Sequence, residues 1–169
     1  GPCRAIAPAG ASVGSREARD LRDGGAAFGG FDVTRALAGV NGEIAKALLG
    51  RAAAAPEGID RVLIALDGTP DKSRLGGNAL IAVSLAAAHA AAAAQGEPLW
   101  RYLAGARACR LPLPEVQIFG GGAHAARRVD VQDFMVVAVG AADYVQALDW
   151  TAEVYRAAGE LMAEGGLLR

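Results

Sequence analysis

The chain has 169 residues and a formal charge of −1. That is enough for one medium domain or two incomplete ones, and the basic footprint of a nucleic-acid binder is absent. Hydrophobic residues make up 53%, above the usual globular share, but much of this is alanine, which favours helix and buries little area per residue. Cys3 and Cys109 stand at no motif spacing, so neither a disulfide scaffold nor a cysteine-based metal site is indicated, and reduced thiols in the cytoplasm are expected.

In chain order, "CRAIAPAGASVGS" reads as the end of a strand followed by a loop, with Pro8, Gly10 and Gly14 as breakers. Ser15 is placed to cap a short helix through "SREARDLRD", with Glu17 and Asp20 near its positive end. "GGAAFGG" is a connector. Asp32 is then expected to cap a helix from Val33 to Leu49, stopped by Gly50. Leu37, Val40, Ile44 and Leu48 give it one apolar face.

A further helix is expected over Glu57 to Leu66, with Ile59, Val62, Leu63 and Leu66 inward. "DGTPDKSRLGG" is a loop. Asn78 is placed to cap a long alanine helix that Gly96 ends. Its apolar run, Ala79 to Ala94, contains Ser84 and His89. A membrane span needs about 20 strongly apolar residues, so a packed helix and no membrane partner are expected. Pro98 starts a short helix, "PLWRYLAG".

The character changes near Arg107, which divides the chain into an expected domain over residues 1–106 and a second over 107–169. "CRLPLPEVQIFG" reads as one strand. "VDVQDFMVVAVG" reads as another, with β-branched residues on both faces, as buried parallel strands have. Asp143 to Gly165 is an amphipathic helix bearing Leu148, Val154, Tyr155 and Leu161. Strand, glycine loop, strand and helix could begin a barrel, although a complete (β/α)₈ barrel needs about 250 residues.

Between the two strands lies "FGGGAHAARRVDVQDFM", which carries the chemistry-bearing candidates. Its glycines do not follow the dinucleotide spacing, and no glycine run ends in Lys-Ser or Lys-Thr. Asp133 is the most informative residue. A carboxylate within an apolar strand must be paired, metal-bound, protonated or placed at the strand's end. His124 lies upstream in the same loop, which raises the expectation of a site. Arg127 and Arg128 are most simply solvated, and His89 is a helix-surface or packing residue. Ser12 in "AGASVG" has no adjacent base to make it a nucleophile.

Taken together these segments resemble enolase. "PAGASVGSREARDLRDG" is similar to the family's mobile loop, Pro-Ser-Gly-Ala-Ser-Thr-Gly followed by a Glu-Ala helix. "ALDGTPDKSRLGGNA" and "GGAHA…VDVQDFM" follow in register. The resemblance implies an α+β N-terminal capping domain without its first strand, followed by the first elements of a (β/α)₈-type barrel. It implies reversible dehydration of 2-phosphoglycerate to phosphoenolpyruvate with two Mg²⁺ ions. It also implies a small phosphorylated substrate, a homodimer in the complete protein, and a cytoplasmic location. In this family Mg²⁺ ions on the substrate carboxylate stabilise the enediolate-like intermediate that a lysine base generates.

By the same resemblance Ser12 is a Mg²⁺ ligand on the closing loop, and His124 is a substrate-binding and catalytic loop residue. Asp133 stands where the family has Glu, as a substrate-binding and catalytic carboxylate at the leaving hydroxyl. Gln132 matches a neighbouring site glutamine. The Glu-to-Asp departure shortens the reach by roughly 1.5 Å. Ala9 and Val13 replace the usual Ser and Thr, Gln117 replaces Asn, and "IFGGGAH" puts Gly120 where Asn is usual. These departures also suit a diverged paralogue acting on a phosphonate or phosphorylated 2-hydroxy acid; a non-catalytic binding or scaffold protein is a third reading. The catalytic lysine, the first ion's carboxylates and the second hydroxyl-side carboxylate match nothing in the chain. The polypeptide alone is therefore expected to lack dehydratase activity and a high-affinity Mg²⁺ site. It is also expected to be aggregation-prone or partly disordered beyond Arg107, because sheet edges and apolar faces stay uncovered.

Overall fold

The computed structural model describes residues 1–10, 13–54 and 56–167, with all of their side chains except those of Pro56 and His124. The chain divides into two compact units, Gly1–Arg107 and Ala108–Arg169.

The first unit is a helical layer. Its first helix, α1, covers residues 34–48 and consists of Thr34–Gly39, a π-turn at Val40–Ile44, and Ala45–Leu48. Then come α2 (Pro56–Asp67), α3 (Gly77–Ala94) and α4 (Leu99–Ala104). Ala36 and Ile44 of α1, Ile59 and Leu63 of α2, Leu75, and Ala79 and Leu80 of α3 form one buried cluster. Val40, Leu48 and Leu66 pack on it half-buried, so most of the expected apolar positions face inward, but Leu37 is exposed. By length and composition α3 could cross a membrane. Here it is the helix on which α1, α2 and α4 pack, and Ala88, Ala91 and Ala92 on it are buried.

Three expected caps or helices differ from what the structure shows, each because a tertiary hydrogen bond wins over a local one. No helix forms through "SREARDLRD". Residues 18–21 take no regular structure instead, because Arg19 N–H donates to Asp71 O at 2.7 Å and Gly77 N–H donates to Arg19 O at 2.7 Å. Asn78 does not cap α3; its side-chain oxygen accepts from Leu21 N–H at 3.0 Å and its amide donates to Leu21 O at 3.2 Å. The two glycines before it make room for this clamp. A Cβ on Gly76 would sit 2.5 Å from Leu21 Cβ, and one on Gly77 would sit 2.9 Å from Ala18 Cβ. Residues 1–10 form no strand, since no neighbouring strand pairs with them among the described residues.

The start of α1 is the third case. Asp32 reaches only Val33 N–H, at 2.8 Å, and the Thr34 hydroxyl. The first helical amides are satisfied from further away: Asp23 accepts from Thr34 N–H at 2.6 Å and from Arg35 N–H at 3.0 Å. Its negative charge also faces the positive end of the helix. Asp23→Ala is expected to lower the stability of the first unit by about 1 kcal/mol, the usual worth of a cap. Asp32→Ala should cost less; urea midpoints of the two variants that coincide would contradict this assignment.

The loop from α2 to α3 is organised by one buried carboxylate. Asp67 is 2% exposed. It accepts from Thr69 N–H at 3.0 Å, from the Thr69 hydroxyl, and from Leu75 N–H at 2.8 Å. Burial alone would raise its pKa; these bonds and nearby Lys72 outweigh it and hold the carboxyl below its ordinary value. Arg74 closes the loop from outside, donating from Nε to Asp67 O at 3.1 Å and gripping both oxygens of Glu43 at 2.8 and 3.0 Å.

The second unit has two strands, β1 (Glu115–Gly120) and β2 (Asp133–Val137), and a helix, α5 (Tyr144–Glu164), that packs on both. The strands are antiparallel, not parallel as their β-branched pattern suggested. A parallel pair needs a crossover, usually a helix; here residues 121–132 double back through a 3-10 turn at Gly122–Ala125 and the turn that follows it. The strands are not buried on both faces either: Met135 is 50% exposed. Ile118 is bulged out between the pairs Gln117–Met135 and Phe119–Phe134, and the two phenylalanine rings meet edge to face at 6.4 Å. Helix α5 starts with a reciprocal cap: Asp143 accepts from Gln146 N–H at 2.9 Å, and Gln146 Oε1 accepts from Ala142 N–H at 2.6 Å. Ala138, Ala147 and Thr151 are buried in this unit. The expected apolar residues of α5, Leu148, Val154, Tyr155 and Leu161, are exposed, because two strands cover only its small-residue face. Two strands and a helix are the barrel-like elements among the described residues, and they close no barrel.

Candidate functional site

The candidate site of the second unit grows out of the turn between β1 and β2. Register places Gly120, the last residue of β1, opposite Asp133, the first of β2. Gly121 N–H donates to Gln132 O at 2.6 Å and Gly122 N–H to Val129 O at 2.8 Å, which fold the glycine run back onto residues 129–132. Gly121 is buried there, and a Cβ on it would lie 1.8 Å from Val131 O. The turn then passes through Ala126 (φ 52°) and Arg127 (φ 59°), both left-handed and neither glycine. Such positions are uncommon outside Gly, Asn and Asp.

This turn delivers two of the expected site residues to one place. Gln132 is exposed and Asp133 is half-buried. The Gln132 side-chain amide donates from Nε2 to Asp133 Oδ2 at 3.2 Å. Asp133 thus meets the sequence requirement by standing at the strand's end and being paired. The backbone of His124 lies within the turn Gly122–Ala125; its side chain lies outside the described residues, as does all of Ser12. In the first unit, a cavity of about 600 Å³ is lined by Pro8, Gly10 and Val13, the neighbours of Ser12 in sequence, together with Glu17, Arg19 and Asn78.

Sequence reasoning did not single out Gly121. The triple glycine was visible, but which of the three is indispensable depends on where the Val131 carbonyl lies. Gly120 differs in kind: its Cβ would meet only the end of the Gln117 side chain, at 3.1 Å.

Residues 1–103 match the family model for the enolase N-terminal domain, and residues 108–167 match that for the enolase C-terminal TIM barrel domain. The chain belongs to the enolase family. As an enolase-family chain it is of lyase-like origin, with an N-terminal-domain segment followed by a segment of the barrel domain.

The family's Mg²⁺ can be set against these residues. Magnesium demands near-octahedral oxygen ligation, commonly from one or two carboxylates with waters and substrate. Among the described residues no group of three or more His, Cys, Asp or Glu side chains converges. At the candidate site one oxygen of Asp133 faces the donating amide of Gln132, which presents hydrogens where a cation would need a lone pair. The described residues thus assemble no cluster of carboxylates that would hold the ion by protein ligands alone.

Proposed function

We propose that this chain supplies the glycine-turn part of a Mg²⁺-dependent enolase-type lyase, which reversibly dehydrates 2-phosphoglycerate to phosphoenolpyruvate in the cytoplasm. The observation that carries the reading is the Asp133 carboxylate, held at the start of β2 against the glycine turn, in a chain that matches both enolase domains. In this reading Asp133 acts at the leaving hydroxyl, and His124 approaches the phosphorylated substrate from the turn. Ser12 contributes a hydroxyl toward Mg²⁺, and the complete protein is a homodimer.

The proton beside the substrate carboxylate is very weakly acidic, and the family removes it with a lysine. The chain's lysines are Lys46 and Lys72. Lys72 donates to the carbonyls of Thr69 and Pro70 at 3.0 and 3.4 Å, and both lysines belong to the first unit. The 169-residue chain by itself is therefore expected to give no turnover. In the protein that joins this chain to a lysine-bearing barrel, 2-phosphoglycerate should be converted, and Asp133→Asn should lower kcat about 10²- to 10⁴-fold. Phosphoenolpyruvate formation followed by ultraviolet absorbance measures both; unchanged kcat in Asp133→Asn would refute the role.

One observation favours a second reading, a paralogue for a phosphonate or related 2-hydroxy acid. Two departures from the family pattern, Gln117 and Gly120, are spatially coupled. The Gln117 amide occupies the space into which a side chain at 120 would grow, and it donates to Phe119 O at 3.3 Å. Competition between 2-phosphoglycerate and a phosphonate analogue separates the two readings.

A further inference from the structure

We propose that α1 is a two-register helix: its π-turn, Val40–Ile44, lets the half before it shift by one residue and exchange Ala36 for Leu37 at the core. An α-helix advances about 100° per residue. Leu37 and Ile44 would then share a face to within about 20°, whereas Ala36 and Ile44 would differ by about 80°. The structure shows the reverse. Ala36 is 4% exposed and Ile44 1%, while Leu37 is 54% exposed. The π-turn is the cause. It closes residue i onto i+5 and so holds one residue more than an α-turn, which sets Ala36 in line with Ile44.

Space for the second register is already present. Val33 and Leu37 line a cavity of about 250 Å³, faced by Ala7 and by Ala79 and Ala82 of α3. When the turn converts to regular α-helix, Leu37 swings from solvent into that cavity. The half after the turn stays fixed: Ile44 is buried, and Arg74 grips both oxygens of Glu43. The half before it is held by less. Asp23 accepts from Thr34 N–H and Arg35 N–H. The loop between them contains Gly24, Gly25, Gly29 and Gly30, whose freedom can take up a shift of one residue. Asp23 is therefore the latch of the observed register. Ala7 also lines the larger cavity of the first unit, so the register of α1 bears on both.

Methyl NMR of the 169-residue chain tests this. The Leu37 methyls are identified by their loss in Leu37→Met. In Asp23→Ala they are expected to show relaxation dispersion on the microsecond-to-millisecond scale of helix register shifts. They should also gain cross-peaks to the methyls of Ala79 and Ala82 over those of the wild type. Deletion of Gly42, where a Cβ would meet nothing within 4 Å, takes out the surplus residue and leaves Ala36 in line with Ile44 on a regular helix. Made in the Asp23→Ala chain, it should abolish both signals. Leu37 methyls that behave in Asp23→Ala as they do in the wild type would overturn the proposal, as would cross-peaks that survive the deletion. Dispersion or melting shared equally by Leu63 of α2 would mean that the whole unit opens, and would overturn it too.

Discussion

Replacing Gly121 by alanine is expected to unseat the turn between β1 and β2, at a cost on the order of 3 kcal/mol to the second unit, the upper end for an overpacked site. The added methyl would lie 1.8 Å from Val131 O. A backbone carbonyl cannot swing aside as a side chain can, so either the Gly121–Gln132 hydrogen bond or the Gly122–Val129 bond must break. Gly120→Ala is the control. Its methyl meets the movable end of Gln117 at 3.1 Å and should cost less than about 1 kcal/mol, as substitutions without a backbone clash do. Urea unfolding followed by the fluorescence of Trp150 on α5 compares the two variants. Equal midpoints would dismiss the steric account.

The second large effect belongs to Asp67. Removing its carboxylate by Asp67→Ala leaves Leu75 N–H and Thr69 N–H without their acceptor beside the core, and is expected to cost about 3 kcal/mol. Asn is not a safe replacement. One end of its side chain would present N–H hydrogens to a backbone N–H that needs an acceptor. The acid response has a definite sign. Because the folded state holds Asp67 below its ordinary pKa, its contribution is present above the ordinary aspartate range and is lost as pH falls through the lowered value. Thermal melts of wild type and Asp67→Ala should therefore differ most near neutrality and draw together at the acidic end. A gap that stays constant down to strong acid would refute the assignment.

The helices and the candidate pair Gln132 and Asp133 stood out in the sequence for different reasons. Helices α1 to α5 follow from apolar spacing and from glycine stops such as Gly50, Gly96 and Gly165, all of which are local. The Asp133 carboxylate was conspicuous because an acid in an apolar strand needs a reason, and the structure places it at the strand's end beside Gln132. What could not be read was the choice among competing polar groups. Asp32, Ser15 and Asn78 each sit where a local cap would suit. Asp23 nevertheless took the cap of α1, and Asn78 was drawn to Leu21. Nothing within a few residues of Asn78 announces a partner so far upstream. Strand direction was missed similarly. Valines on both faces suit a buried strand, but the connecting turn decides direction, and Ala126 and Arg127 adopt left-handed geometry without a glycine to signal it.

The clamp between Asn78 and Leu21 also bears on how the chain acquires its shape. It joins residues 57 apart in sequence, whereas β1, the glycine turn, β2 and α5 follow one another and contact their neighbours. Closing a long loop costs more entropy than closing a short one, and contacts distant in sequence slow folding. The second unit can thus assemble from nearby pieces in rapid local steps. In the first unit, the segment from Ala18 to Leu21 must wait until the start of α3 exists to receive it. That segment is then expected to dock late in folding.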